Sequence, residues 1–309
     1  MKDFSIVIPV YYNAESLPSV EKELREKVLQ RNDGLQGEIV FVDDGSRDSS
    51  FEILSGIYAN NPQDIRVFKL SKNFGQVNAI WCGYTHCDNT VIFMSADGQD
   101  PVEVVNKMLD VHFNSGKEIV IATRESRDDS MQRKITSSIA YWLMKKLADK
   151  DMPTGGFDFC LLGNKARKAL ISCWQPHTFI QERILKLGFP REMIGYHRNS
   201  RKSGKSRWTF SKKITYMIDG ILGHSYIPIR FMSFLGGLFS TASFLLAIYF
   251  LISYFAFGTE VRGLTPIVLL ILFIGGVEMI MIGIIGEYLW RVLAQARNDP
   301  PFIIEKILE

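Results

Sequence analysis

The sequence has few cysteines and little net charge, and each shortage excludes a class of protein. Four cysteines scattered over 309 residues exclude a disulfide-stapled scaffold and indicate reduced, buried thiols. No spacing of cysteine and histidine resembles a zinc site, and internal repeats and low-complexity stretches are also missing. A net charge of +3 gives no reason to expect nucleic-acid binding. With 47% hydrophobic residues the chain is too apolar to be disordered.

The beginning of the chain lacks the pattern of a secretory signal. Met1-Lys2-Asp3-Phe4 leads directly into a strand-like run, without a basic segment, an apolar segment or a cleavage site. We therefore expect residues 1–205 to form a cytosolic domain.

Two long stretches near the other end are almost free of charge. Residues 231–259 contain no charged side chain, and residues 264–289 contain only Glu278 and Glu287. A helix that crosses a bilayer needs about 20 mostly apolar residues. A buried helical hairpin is the alternative, but the uncharged length and the flanking Tyr and Phe favour two transmembrane helices within residues 229–290, at 231–257 and 264–289.

Basic residues are distributed unevenly around these stretches. The loop between them carries only Arg262, offset by Glu260, whereas many basic residues precede the first stretch or follow the second. They are Arg198, Arg201, Lys202, Lys205, Arg207, Lys212, Lys213 and Arg230 before, and Arg291, Arg297 and Lys306 after. Positively charged flanks stay in the cytosol, so both termini are predicted there. Residues 206–228 then form an amphipathic juxtamembrane segment and residues 291–309 a cytosolic tail.

Before the apolar stretches, strand-like and helix-like patterns alternate. Strands are predicted at 4–9, 38–43, 66–71, 91–95 and 118–123, and helices at 16–31, 49–60, 77–87 and 102–115. This alternation predicts an α/β domain with a mainly parallel sheet and right-handed crossovers.

Polar loops follow four consecutive predicted strands. Ligands of parallel α/β sheets bind beyond the carboxyl ends of the strands, so these loops predict a binding site. The four loops are Tyr11-Tyr12-Asn13, Asp43-Asp44-Gly45-Ser46, Lys72-Asn73-Phe74-Gly75 and Ser95-Ala96-Asp97-Gly98-Gln99-Asp100.

The order of these motifs resembles that of family 2 glycosyltransferases with the GT-A fold. The motifs are Ser5-Ile6-Val7-Ile8-Pro9-Val10-Tyr11, Val42-Asp43-Asp44-Gly45-Ser46, Asn73-Phe74-Gly75-Gln76 and Asp97-Gly98-Gln99-Asp100-Pro101. Two further features narrow the resemblance to one group within this family: the two apolar stretches and the motif Gly204-Lys205-Ser206-Arg207-Trp208 before them. The chain is similar, over nearly its full length, to polyprenyl-phosphate glycosyltransferases, the bactoprenol glucosyltransferases above all, and is related to dolichyl-phosphate mannose synthases.

The resemblance implies a donor nucleotide site in the first three loops. Its implied residues are Pro9, Tyr11, Asn13, Asp43, Asp44, Asn73 and Gly75. The carboxylates of Asp43 and Asp44 can accept hydrogen bonds from a uracil N–H and from ribose hydroxyls. The alternative is that Asp44 or Ser46 only caps the next helix, and Asp48 is predicted to be such a cap.

The fourth loop departs from the pattern of the family at its metal site. Family members usually have Asp-X-Asp where this chain has Ser95-Ala96-Asp97, so one carboxylate is missing. Asp97 and Gln99 are the predicted ligands of Mg²⁺ or Mn²⁺, completed by the donor diphosphate and water. Asp100 is predicted to cap the helix that starts near Pro101.

The resemblance places the acceptor on residues farther along the chain. Asp158 is implied to orient the acceptor or to accept a proton, with a turn residue after two glycines as the alternative. Gln181 is implied to contact the acceptor, whereas Glu182 and Arg183 also fit an exposed helix pair. Arg201, Lys205 and Arg207 are predicted to hold the diphosphate and the acceptor phosphate, with attraction to anionic lipid as the alternative.

The resemblance implies an inverting transferase that moves glucose from UDP-glucose to undecaprenyl phosphate in the bacterial cytoplasmic membrane. A processive polysaccharide synthase is one alternative, although Gln181–Leu185 lacks the Gln-X-X-Arg-Trp motif of those enzymes. A membrane-anchored nucleotide-sugar-binding protein without activity is the other. Glu278 is costly to expose to lipid and suggests a protein partner, and the resemblance implies a homotetramer.

Overall fold

Apolar runs separated by turn residues build one eight-stranded sheet in the computed structural model, which describes residues 2–124, 153, 157–175, 180–198, 227–257, 264–297 and 299–309. The predicted α/β fold with a mainly parallel sheet is confirmed. The strands are β1 (Phe4–Val10), β2 (Gly37–Asp43), β3 (Ile65–Leu70), β4 (Thr90–Phe93), β5 (Ile119–Arg124), β6 (Cys160–Leu162), β7 (Arg191–Tyr196) and β8 (Ile304–Leu308).

Helices connect most of these strands. The five strands and four helices predicted for residues 4–123 are all present. Their ends differ from the prediction by at most two residues when the π-helical turn that extends the first helix to Leu29 is counted as part of it. The helices described around the sheet are α1 (Leu17–Leu24, continued by a π-helical turn over Arg25–Leu29), α2 (Ser50–Asn60), α3 (Gln76–Thr85), α4 (Val102–Ser115), α5 (Asn164–Ser172) and α6 (Ile180–Lys186).

The sheet has the strand order β7-β5-β6-β4-β1-β2-β3-β8. The pairs β1–β2, β2–β3, β1–β4 and β5–β7 are parallel, and β4–β6, β5–β6 and β3–β8 are antiparallel. Because β2 and β4 lie on opposite sides of β1, the strand order reverses at β1. In open α/β sheets, such a reversal leaves a crevice at the carboxyl ends of the strands, where ligands bind.

The core lies on both faces of the sheet, as expected where helices cover a parallel sheet on each side. Along β1, Ile6 and Ile8 pack on one face with residues of α1 and α4, while Val7 packs on the other face with residues of α3. Gly83 allows α3 to approach β1 closely, since a Cβ atom there would lie 2.3 Å from Cγ1 of Val7.

Strand β8 lies within residues 291–309, for which the sequence predicts only a tail. It adds an antiparallel edge to β3, with Leu308 opposite Val67 and Ile304 opposite Leu70. Residues 299–309 thereby belong to the same compact unit as residues 1–220, and residues 221–298 form a second unit.

Helices α7 (Ile227–Phe257) and α8 (Leu264–Arg297) make up the described part of the second unit. In α8, Phe273–Arg297 is long and apolar enough to cross a membrane, whereas Phe234–Leu246 in α7 is a shorter apolar stretch. The predicted loop at 258–263 and nearly all of the predicted amphipathic segment 206–228 lie outside the described residues. The two-helix hairpin thus stays a prediction.

Candidate active site

Hydrogen bonds tie the loop after β1 to the start of the segment after β2. The backbone N–H of Tyr12 donates to Oγ of Ser46 at 3.0 Å, and that of Asn13 donates to Oγ of Ser50 at 3.1 Å. Tyr12 has a φ of 57°, a left-handed conformation that is uncommon outside glycine. The side chain of Asn13 accepts the N–H of Tyr11 at 3.0 Å, so this predicted donor-site residue shapes its own loop.

The second acidic residue after β2 holds the loop after β3. Asp44 is 2% exposed, and its two carboxylate oxygens accept the backbone N–H groups of Phe74 at 2.7 Å and of Gly75 at 3.0 Å. Gly45 permits this approach, because a Cβ atom there would lie 2.4 Å from the carbonyl carbon of Lys72. The predicted residue Gly75 is thus fixed by Asp44, while the side chain of Asn73 is exposed.

Asp43 is fully buried and only half used by the protein. Its Oδ1 accepts the backbone N–H of Ser46 at 3.1 Å, and its Oδ2 has no hydrogen-bond partner in the described part of the chain. A buried carboxylate oxygen without a donor is costly, which makes it a candidate acceptor for a ligand N–H or O–H. Burial raises the pKa of Asp43.

The pH dependence of stability should report on Asp44. Burial raises the pKa of this carboxyl from 3.8 to about 6, although the two N–H donors oppose the shift. Because the folded state then binds the proton more tightly than the unfolded chain, Asp44 stabilises the fold most at pH below 3.8, and this contribution is lost as the pH rises through about 6.

We expect the stability of wild type relative to Asp44→Asn to fall by at most about 3 kcal/mol between pH 4 and pH 7. Thermal unfolding of both proteins in detergent across this range would measure it. Asp48→Asn, which alters the same segment outside the buried pair, is the control. A difference between wild type and Asp44→Asn that does not change with pH would contradict the expectation.

The loop after β4 places Asp97 at the same edge of the sheet. Oγ of Ser95 donates to Oδ1 of Asp97 at 2.5 Å, and the backbone N–H of Gln99 donates to the same oxygen at 3.1 Å. Ser16 ties this loop to the start of α1 through a 2.7 Å hydrogen bond to the carbonyl oxygen of Ala96. The carboxylate is therefore held in a defined orientation.

The prediction that Asp100 caps α4 is wrong. Pro101 is the N-cap of α4 and no side chain caps it. Asp100 instead accepts the hydroxyl hydrogen of Tyr196 at 2.9 Å and lies 3.3 Å from Nε of Arg198, because its 3% exposure requires partners for the charge. Nη2 of Arg198 also lies 3.6 Å from Oδ2 of Asp97.

The residues of the Asp97 loop suit a hard divalent cation. In the described segments, no three His, Cys, Asp or Glu side chains converge as a ready-made metal site. The carboxylate of Asp97 and the side-chain oxygen of Gln99 are ligands that Mg²⁺ and Mn²⁺ accept, and phosphate oxygens and water could supply the rest. These two side chains could hold an ion that arrives with a diphosphate.

Restoring the missing carboxylate should strengthen this site. A carboxylate at position 95 would lie beside Asp97, because Oγ of Ser95 is already 2.5 Å from its Oδ1. We expect Ser95→Asp to tighten Mn²⁺ binding in the presence of UDP by about tenfold. The free Mn²⁺ signal in electron paramagnetic resonance would measure this, with uncharged Ser95→Asn as control. An unchanged titration would mean that residue 95 does not face the ion.

The predicted acceptor residues Asp158 and Gln181 are brought together. Oδ1 of Asp158 accepts Nε2 of Gln181 at 3.1 Å, and Oδ2 lies 3.0 Å from Nη2 of Arg124. The side chain of Asp158 is 51% exposed, whereas that of Arg124 is only 12% exposed. An exposed carboxylate is thus oriented by the buried Gln181 and by the largely covered Arg124.

The alternative interpretation of Glu182 and Arg183 as an exposed ion pair on a helix is wrong. Glu182 is fully buried and forms an ion pair with Lys186 at 2.5 Å, one helical turn further along. Arg183 donates instead to Oε1 of Gln175. The difference arises because α6 turns Glu182 toward the core, where a charge needs a partner.

Some predicted site residues are not placed beside these side chains. Pro9 lies in β1, half-buried. Arg201, Lys205 and Arg207 lie outside the described residues.

Sequence reasoning missed Arg124 and Tyr196 and gave Arg198 no specific role. Burial raises the pKa of Tyr196 to about 12, so its hydroxyl stays protonated and donates to Asp100. The available signal was weak: Arg124 ends β5, Tyr196 ends β7, and Arg198 lies two residues beyond Tyr196.

Comparison with known proteins identifies the family. Residues 5–171, more than half of the chain, match the family described as Glycosyl transferase family 2. The chain is a family 2 glycosyltransferase. This confirms the resemblance drawn from the motifs and assigns an enzymatic activity, the transfer of a sugar.

Individual relatives match this glycosyltransferase over almost its whole length. A bactoprenol glucosyl transferase of Shigella phage SfII is 30% identical over 98% of this chain and 97% of its own length. An uncharacterised glycosyltransferase of Synechocystis is 29% identical over 99% of this chain and 95% of its own length. Among solved structures, glucosyl-3-phosphoglycerate synthase from Mycobacterium tuberculosis with Mn²⁺, UDP and phosphoglyceric acid has a TM-score of 0.49 at 17% identity, covering 72% of this chain and 76% of its own.

Proposed function

We propose that this glycosyltransferase moves glucose from UDP-glucose to undecaprenyl phosphate, with inversion, at the cytosolic face of the bacterial cytoplasmic membrane. The observation that carries the proposal is the placement of Asp43 at the end of β2 and of Asp97 in the loop after β4. These two strands flank β1 at the reversal of strand order. The name of the phage relative supports a polyprenyl phosphate acceptor and glucose as the sugar.

In the proposed donor site, Asp43 binds the nucleoside. Its buried Oδ2 would accept a uracil N–H or a ribose hydroxyl, either of which satisfies an otherwise orphaned acceptor. Pro9 and Tyr11, at the end of β1 and in the loop after it, would line the base. Asp44 acts indirectly, since it holds the loop of Phe74 and Gly75.

Asp97 and Gln99 would hold Mg²⁺ or Mn²⁺ against the donor diphosphate. When bound, such an ion neutralises charge on the leaving UDP. The chain itself contributes the orientation of the carboxylate, through the hydrogen bonds from Ser95 and from the backbone of Gln99.

Asp158 would orient the acceptor. The phosphate oxygen of a polyprenyl phosphate is already anionic near neutral pH, so positioning and charge compensation matter more than proton removal. Both carboxylate oxygens of Asp158 already accept hydrogen bonds from Gln181 and Arg124, which suits an orienting role. In one displacement, a phosphate oxygen of the acceptor would bond to the anomeric carbon of the sugar while the bond from that carbon to the diphosphate breaks and UDP leaves, which gives inversion.

The return of the chain to the sheet supports an even number of membrane crossings. Residues 221–298 are inserted between two parts of one folded unit, because β8 pairs with β3. Both ends of the insertion must then be on the same side of a membrane. Since Phe273–Arg297 alone would give one crossing, we propose that α7 and α8 both span, with the catalytic domain and both termini in the cytosol.

A second copy of the chain is the proposed partner for Glu278. This acid is exposed on α8, and a carboxylate that faces lipid is costly. We propose a homo-oligomer, a tetramer by the resemblance, which chemical cross-linking in membranes would detect as a ladder of bands.

Transfer of radiolabelled sugar tests the proposed function. Purified protein would be incubated with UDP-glucose and undecaprenyl phosphate, in competition with other sugar nucleotides. Label that partitions into organic solvent supports the proposal. Label in an insoluble polymer would instead identify a polysaccharide synthase. If no sugar is transferred from any donor, the chain would be a binding protein without activity.

The basic residues before α7 should affect catalysis more than membrane attachment. We expect Arg201→Ala or Lys205→Ala to lower turnover about tenfold with undecaprenyl phosphate in detergent, where no anionic bilayer exists. Lys212→Ala is the matched control, and flotation with vesicles measures attachment. If both variants keep normal kinetics, these basic residues only attract the protein to anionic lipid.

A further inference from the structure

Arg198 places a cation beside the carboxylate that is proposed to bind the metal. It follows the end of β7 by two residues, and its Nη2 lies 3.6 Å from Oδ2 of Asp97. Its Nε lies 3.3 Å from Oδ1 of Asp100. The side chains of Asp97 and Asp100 are 14% and 2% exposed, so both charges are poorly screened by water.

These contacts are electrostatic and loose. Charge-assisted hydrogen bonds between nitrogen and oxygen measure about 2.7–2.9 Å, and both contacts are longer. The buried Nε–H of Arg198 also has no aligned hydrogen-bond acceptor within the described ranges. The guanidinium thus contributes its charge to this loop more than it contributes fixed geometry.

Both carboxylates keep other partners if Arg198 moves away. Asp97 still accepts from Ser95 and from the backbone of Gln99, and Asp100 still accepts the hydroxyl of Tyr196. Movement of Arg198 would therefore leave neither carboxylate orphaned. The arrangement of the loop does not depend on the arginine.

On the basis of the proposed function, we propose that Arg198 is a positioning residue that neutralises Asp97 before the donor binds and gives way to the divalent ion that arrives with it. A guanidinium and a divalent ion cannot both approach Oδ2 of Asp97 without strong repulsion. Once displaced, the guanidinium remains within reach of the diphosphate on the same ion. Arg198 therefore disfavours the free ion and favours the ion together with the nucleotide.

Opposite changes in two affinities follow from this exchange. Replacing Arg198 by methionine removes the charge and keeps an apolar stem of similar length. We expect Arg198→Met to bind free Mn²⁺ about fivefold to tenfold more tightly, because a competing cation is gone. We expect the same variant to bind UDP about tenfold more weakly at saturating Mn²⁺, because a cation near the diphosphate is gone.

Binding measurements on the full-length protein in detergent test the proposal without turnover. Electron paramagnetic resonance measures free Mn²⁺, and calorimetry measures UDP at saturating Mn²⁺. Arg31→Met is the matched control, because it removes an equal charge from an arginine that pairs with Asp33 and Asp110. Arg198→Lys, which keeps the charge, guards against loss of folding and should retain most of the wild-type behaviour.

The outcomes separate this proposal from the proposed function. Tighter Mn²⁺ and weaker UDP binding in Arg198→Met alone support it. If the wild type binds both Mn²⁺ and UDP but Arg198→Met binds Mn²⁺ no more tightly than the wild type, the proposed exchange of Arg198 for the metal ion is overturned. The proposed function then stays intact. Failure of the wild type to bind UDP with Mn²⁺ overturns both.

Discussion

Asp97→Asn should abolish most sugar transfer while leaving the fold intact. Asparagine keeps an oxygen that can accept the hydrogen bonds from Ser95 and from the backbone of Gln99, so the loop should hold its shape. The variant loses the negative charge that binds a divalent ion. Turnover should fall by about 100-fold or more, because charge on the leaving diphosphate is no longer compensated.

The same substitution should remove the part of UDP binding that depends on Mn²⁺. Calorimetry with and without the ion separates that part from binding through Asp43. Asp110→Asn is the matched control, since Asp110 pairs with Arg31 on the surface of α4. Thermal unfolding checks the fold. Full activity of the wild type in EDTA would rule out a metal-dependent mechanism.

The first half of the sheet could be predicted because its local signals agree with its tertiary structure. Strands β1 to β5 are apolar or β-branched runs bounded by turn residues, and helices α1 to α4 carry helical spacing between them. The polar loops could be placed at one edge, because the carboxyl ends of parallel strands meet there.

Strands β6, β7 and β8 could not be predicted in the same way. Strand β6 has only three residues, and the sequence of β7, Arg-Glu-Met-Ile-Gly-Tyr, is neither apolar nor strictly alternating. Strand β8 follows two prolines after a long apolar helix, where a tail is the simplest interpretation. These strands are stabilised by their pairing with β3, β4 and β5, and such pairing leaves little local signal.

The different roles of neighbouring residues within the site could not be predicted from the sequence either. Asp43 and Asp44 are adjacent residues of the same type. Both carboxylate oxygens of Asp44 accept hydrogen bonds from the loop after β3, whereas Oδ2 of Asp43 accepts none within the described residues. Which of two neighbouring carboxylates faces a ligand depends on how the loops pack. The pairing of Arg198 with Asp97, over 101 residues of chain, depends on packing in the same way.

Removing residues 301–309 should strongly destabilise the catalytic domain, because β8 covers the edge of β3. Ile304 and Leu308 pack against the two faces of the core, and the ion pairs Lys69–Glu305 and Arg66–Glu309 cross the same edge. Losing two partly buried aliphatic side chains costs about 2–3 kcal/mol, a substantial share of the stability of a typical domain.

The melting temperature of the truncated protein in detergent should fall by about 5–10 °C, and the unpaired edge of β3 should promote aggregation. Ile307→Thr is the matched control, since this β8 side chain is 43% exposed and should shift the melting temperature little. Adding a peptide of residues 299–309 should restore part of the loss by pairing with β3. Equal melting temperatures for the full and truncated chains would mean that β8 does not hold the sheet, and would remove the topological reason for two membrane crossings.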